Sequence, residues 1–211
     1  MGRPAARGFV DLTWPRYTWL LRRPKRLQWA PVKGKTSYAV RIRRIDEERG
    51  GFVPLWTKKD IKCGEVGGKG DKRTISYPKR CSVDIPVKVA LAPGARLFWH
   101  VKPEGQSRYY PIAGVPFVIA DNKKRTAMEK KLKRQGDGLL APFRRGVLLM
   151  ENGFHAAAVR EFAKAKGRVP SQMWKNIVAH EHCVMCSPWR ANAIAGAKIC
   201  RCDDNAPREA D

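Results

Sequence analysis

The chain holds no run approaching the roughly 20 apolar residues that a membrane-crossing helix requires; its longest early apolar run is Trp19-Leu20-Leu21. Arg3 and Arg7 are followed by no apolar stretch of the kind a secretory signal needs, so a cytoplasmic location is expected. Position 6 is Ala6 where N-myristoylation asks for Ser or Thr, and a membrane partner is not expected. The motifs of catalysis are lacking as well. Residues 64–70 are glycine-rich but do not end in Gly-Lys-Ser/Thr, and there is no dinucleotide fingerprint, no His-Glu-x-x-His helix and no Gly-x-Ser-x-Gly elbow. His180 and His182 flank Glu181 at a spacing of two, which does not place them on one helix face. No catalytic residue is assigned, and the chain is expected not to be an enzyme.

Acidic side chains are also scarce. Against 43 Lys and Arg there are 19 Asp and Glu, a net charge of +24 and a sequence pI near 10.3. Residues 1–50 carry +9, 51–120 +7, 121–170 +8 and 171–211 none. Such an excess admits polyanionic partners, but its spread over the chain also fits a device for solubility. Hydrophobic residues make up 43% and charged residues 29%, so a mostly folded chain is expected.

From Leu27 to Phe117 short β-type runs alternate with Gly, Pro and charged turns. Leu27 and Trp29 alternate about Gln28, and Tyr38, Val40 and Ile42 alternate with Ala39, Arg41 and Arg43, so period two puts the first set on one face. Further runs span residues 52–57, 74–77, 83–89, 97–101 and 109–119. In the fourth of these Leu97, Trp99 and Val101 point one way and Phe98, His100 and Lys102 the other, which would bring Trp99 to Trp29 in a core. Trp14 and Trp19, interleaved with Arg16, Arg22, Arg23, Lys25 and Arg26, suit either an edge strand with snorkelling arginines or a surface that stacks bases and holds phosphates. Cys63 and Cys81 bracket a glycine-rich loop; without an export signal they are expected as free thiols.

The segments Leu27-Gln28-Trp29-Ala30-Pro31-Val32-Lys33-Gly34, Ser37-Tyr38-Ala39-Val40, Leu91-Ala92-Pro93-Gly94 and Phe98-Trp99-His100-Val101 resemble a fibronectin type III-like domain of bacterial multidomain proteins, over about residues 17–120. The resemblance implies an antiparallel immunoglobulin-like β-sandwich serving as a spacer or binding module, and says little about a ligand.

Residues 122–134 permit a helix but offer only Met128 and Leu132 as substantial apolar side chains against seven Lys and Arg, the pattern of a solvated basic linker. Next, Leu139, Leu140, Phe143, Val147 and Met150 form one helical stripe, Asn152-Gly153 stops it, and Ala158, Val159, Phe162 and Ala165 form a facing stripe. Gly146, Ala158 with Phe162, and Pro170 fall in the phase of the tetratricopeptide pattern, and Gly153 and Ala165 fit its frame, whereas Pro142, Arg145 and Leu149 depart from it. The segment over about residues 137–186 thus resembles one degenerate tetratricopeptide repeat, which implies protein interaction. A further helix from Met173, Trp174, Ile177 and Val178 would cover the hairpin.

Cys183-x-x-Cys186 is a zinc half-site, and Cys200-x-Cys202 brings two more thiolates, with His182 in reserve. One structural zinc is expected there; buried thiols are the alternative.

The expected organisation is therefore α+β by segments: a basic extension (1–16), the sandwich (17–120), a basic linker helix (121–136), a tetratricopeptide-like helical segment with a cysteine-rich end (137–202) and an acidic tail (203–211). The expected function is that of a protein-binding adaptor, with Leu149, His155 and Trp174 at the groove. The alternative is a nucleic-acid-backbone binder using Arg22, Arg23, Lys25, Arg26, Lys123, Lys124, Arg125, Lys130, Lys131, Lys133 and Arg134. Nothing in the sequence fixes the oligomeric state.

Overall fold

The computed structural model describes residues 12–46, 48–67 and 74–184. It is α+β by segments, a β-region followed by four helices, and it clusters into two compact units. One comprises residues 1–16 and 20–123, the other residues 17–19 and 124–211.

The β-region holds strands β1 (Leu12–Trp14), β2 (Thr18–Leu20), β3 (Arg26–Trp29), β4 (Ser37–Asp46), β5 (Gly51–Lys62), β6 (Glu65–Gly67), β7 (Thr74–Ser76), β8 (Cys81–Asp84), β9 (Arg96–Pro103) and β10 (Tyr110–Ile119). They form a three-stranded sheet in the order β1-β3-β8, a five-stranded sheet in the order β2-β10-β9-β4-β5, and the β6-β7 ribbon. The period-two pattern decides the faces. Tyr38, Val40 and Ile42 of β4, Leu97, Trp99 and Val101 of β9, and Val115, Phe117 and Ile119 of β10 share one buried cluster with Leu27, Trp29, Cys81 and Val83 of the smaller sheet. Full burial of each large member contributes roughly 1.5–3 kcal/mol. Trp29 meets the ring of Tyr38 edge-on at 5.5 Å, while Trp99 donates its indole N–H to the Pro15 carbonyl at 2.6 Å. Burial pushes the Tyr38 phenol above its ordinary pKa.

Three expectations need correction. The five-stranded sheet is mixed rather than purely antiparallel; β10-β9, β9-β4 and β4-β5 are antiparallel. The run at residues 83–89 is strand only as far as Asp84, because Pro86 has no N–H to give to a ladder. The run at 52–57 extends instead to Lys62, its ladder with β4 closing at Ser37 opposite Lys62. Trp14 and Trp19 both lie on short strands.

The second unit is built from α1 (Asn122–Lys133), α2 (Ala141–Glu151), α3 (His155–Ala165) and α4 (Ser171–Val184). The three residues between α2 and α3 include Gly153 at φ 77°, a left-handed position suited to glycine. A Cβ at Gly146 of α2 would overlap the buried Phe162 ring of α3, so glycine there permits close packing of the two helices. No side chain within the helix caps α3; instead the Ala156 N–H donates to the Thr18 hydroxyl at 3.3 Å, and the Trp19 N–H donates to the Gly153 carbonyl at 3.0 Å. This is why residues 17–19 cluster with the helices. The buried face of α2 comprises Ala141, Pro142, Gly146 and Leu149. The expected inward stripe is thereby rotated: Leu139 and Leu140 are exposed, and Phe143, Val147 and Met150 are half-buried.

Candidate binding surfaces

The basic residues singled out from the sequence separate into structural and open groups. Arg23 donates to the carbonyls of Val89 and Pro86, each at 2.6 Å, and so ties down the segment that follows β8. Arg26 pairs with Asp84 at 3.1 Å across the β3-β8 ladder. Arg22 and Lys25 are exposed. On α1 Lys123, Lys130, Lys131, Lys133 and Arg134 are exposed and Arg125 is half-buried, whereas Lys124 lies 3.3 Å over the Trp19 ring. The helix buries only Met128.

The three expected groove residues are engaged elsewhere. Leu149 is 2% exposed and belongs to the interior of the helical unit. His155 Nδ1 lies 3.0 Å from Oε2 of fully buried Glu181. Trp174 donates its indole N–H to the Phe162 carbonyl at 2.7 Å. An open concavity of about 300 Å³ occurs on α2 instead, where Phe143, Val147 and Leu148 form an apolar floor and Gln135, Arg144 and Glu151 a polar rim. Sequence periodicity had placed Phe143 and Val147 on the stripe that faces α3; Phe143 does meet the Phe162 ring, at 5.8 Å, and both residues also border this concavity.

His182 and Cys183 fall in the last turn of α4, and Cys186, Cys200 and Cys202 lie outside the described residues. Among the described residues no three His, Cys, Asp or Glu come together in a metal-holding group. The expectation for Cys63 and Cys81 is overturned, because the two are joined in a disulfide with Cα atoms 5.5 Å apart. Cys81 is fixed opposite Trp29 in the small sheet, and Cys63 is held by its N–H bond to the Thr36 carbonyl at 2.8 Å. Both sulfurs are thus delivered to the same buried place.

One basic site had gone unassembled in the sequence. On β4 Arg41 stands opposite His100 of β9, and Arg43 opposite Phe98; directly opposed residues share a face, here the one turned away from the shared core. Arg41, Arg43, His100, Arg108 and Tyr109 line a cavity of about 190 Å³. The Arg41 guanidinium stacks on Tyr109 and that of Arg43 on Phe52, each 4.2 Å from the ring centre, and Lys102 Nζ lies 5.5 Å from the Tyr109 ring. Arg43 Nε–H donates to His100 Nε2 at 3.0 Å, which requires that nitrogen to be unprotonated. Burial, followed by the charge of Arg41, lowers the Arg43 pKa. Behind the imidazole is Gly114 at φ 85°, where a Cβ would come within 2.6 Å of the ring; glycine gives His100 its space. The alternation of Arg41 and Arg43 was a legible signal for an outward face, but strand adjacency was not.

No protein-family model matches the chain, and no curated protein matches it at a significant level.

Proposed function

We propose that this chain is a non-enzymatic binding protein that pairs a fibronectin type III-like sandwich with a degenerate tetratricopeptide-like hairpin and acts as a protein-interaction adaptor. The sandwich reading is supported by strand order. When β1 and β2 are counted as one interrupted first strand and the β6-β7 ribbon as an insertion, the first, second and fifth strands share one sheet, and the seventh, sixth, third and fourth follow one another in the other. The repeat reading is supported by the close approach of Gly146 and Phe162.

The observation that carries the adaptor function is the open face of α2. Among the described residues no neighbouring repeat covers that face, and its apolar floor with a polar rim has the make-up of a protein-binding patch. A partner segment with one or two apolar anchors would fill it. The rival, a nucleic-acid-backbone binder, draws on the exposed cations of α1. A structural zinc at Cys183, Cys186, Cys200 and Cys202 stands as part of the proposal.

The full chain serves as bait in nuclease-treated extract of its host, at about 50 and 200 mM salt. A protein retained at both salts and lost from a folded Val147→Glu variant is the expected outcome. Capture that disappears with nuclease, or that is insensitive to Val147→Glu, removes the adaptor reading.

A further inference from the structure

We propose that the β-unit carries a phosphate site: Arg41, Arg43 and Arg108, with His100 and Tyr109, bind a phosphate monoester or free orthophosphate in the cavity on the outer face of the five-stranded sheet. This goes beyond the adaptor reading and uses other residues of the other unit.

Charge is the first ground. Three guanidinium groups line one small cavity together with a histidine and a tyrosine, and no carboxylate is among the described lining residues. Neither Arg41 nor Arg108 has an ion pair or hydrogen bond among the described residues, and Lys102 adds a fourth cation beside the Tyr109 ring. Like charges gathered without a counter-charge repel one another, and an anion converts that repulsion into affinity.

The second ground is an unsatisfied donor. Arg41 Nε is buried without a hydrogen-bond acceptor among the described residues, a condition rare for a buried polar atom, in a side chain that lines the cavity.

The third is preorganisation. Stacking of Arg41 on Tyr109 and of Arg43 on Phe52, with Arg43 Nε tied to His100, fixes two long side chains in advance, so little rotamer entropy remains to be lost on binding.

The same geometry selects the ligand. Guanidinium forks match phosphate oxygens two at a time, and tetrahedral oxygens reach three such forks where a planar carboxylate serves one or two. Three guanidinium charges suit the dianion of a monoester better than the single charge of a backbone diester. The ring faces that would stack bases in a single-strand binder are already occupied, Tyr109 by Arg41 and Lys102, Phe52 by Arg43.

Calorimetric titration of the full chain with orthophosphate and with phenyl phosphate tests the site. One saturable site per chain is expected for at least one of the two. Tight binding of phenyl phosphate identifies a monoester as the ligand; orthophosphate binding with phenyl phosphate excluded identifies the free ion. Arg41→Met and Arg108→Ala should each weaken binding tenfold or more, with the ligand-free melting temperature unchanged. Should Arg41→Met fail to fold, exposed Arg108 carries the test alone. Absence of saturable binding overturns the proposal, as does full affinity in the folded variants. A single-stranded oligonucleotide with a 5′-hydroxyl that binds as tightly as its 5′-phosphorylated form, and is displaced by orthophosphate, also overturns it and assigns the cavity to a nucleic-acid backbone. None of these readouts depends on Val147, so the phosphate site and the adaptor face fail or stand separately.

Discussion

Gly146 shows how one side-chain hydrogen can set the spacing of two helices. In a helix interior alanine is preferred to glycine by about 1 kcal/mol, so Gly146→Ala would stabilise α2 if the space were open. It is not, because the added methyl meets the ring of Phe162, which is 1% exposed and has no room to withdraw. Overpacking of this kind costs about 1–3 kcal/mol and outweighs the propensity gain. Gly146→Ala is therefore expected to lower stability in chemical denaturation, and Phe162→Leu in the same chain to recover part of the loss. Additive effects of the two changes in a double-mutant cycle would show that the contact does not exist.

At the level of elements, the disulfide ties the start of β8 to the end of β5 across a sequence separation of 18. A loop of that length restricts the unfolded chain enough to stabilise the fold by about 3 kcal/mol. The Cys63→Ala, Cys81→Ala double variant should lose stability of that order while keeping its strand content by circular dichroism. Thiol counting by alkylation and mass spectrometry on protein unfolded without reductant should find both cysteines protected. Labelling of both would restore the expectation of free thiols.

On the scale of the whole molecule, the +24 charge resolves into cations with different duties. Arg23 and Arg26 fasten the β-unit to itself, Lys124 covers an indole, Arg41 and Arg43 face a cavity, and the other α1 lysines remain in solvent. The carboxy-terminal stretch, residues 171–211, carries no net charge and holds four of the six cysteines. Those four, if metal-bound, account for every thiol that the disulfide leaves. Elemental analysis of the full chain, purified without chelator, is expected to give about one zinc per molecule, and Cys183→Ser with Cys186→Ser to abolish it. A metal-free protein, or zinc retained in that variant, would falsify the assignment.

Local pattern alone was enough for the order of strands before helices, for the inward set of Tyr38, Val40, Ile42, Leu97, Trp99 and Val101, and for the break at Asn152-Gly153, because side-chain alternation and turn chemistry are properties of neighbouring residues. It was enough, too, to turn Arg41, Arg43 and His100 outward. Which strands lie side by side was decided only by the tertiary structure. Arg43 and His100 are 57 residues apart, and their meeting depends on β4 choosing β9 as its neighbour in one register, a choice made by the packing of both sheets on a common core. The α2 stripe was misplaced for a related reason. Helical periodicity names apolar positions but not which of them another helix will cover: Gly146 and Leu149 are buried, while Phe143, against the Phe162 ring, and Val147 are only half-buried. The disulfide likewise had no local signature, since only the folded sheets bring Cys63 and Cys81 within bonding distance.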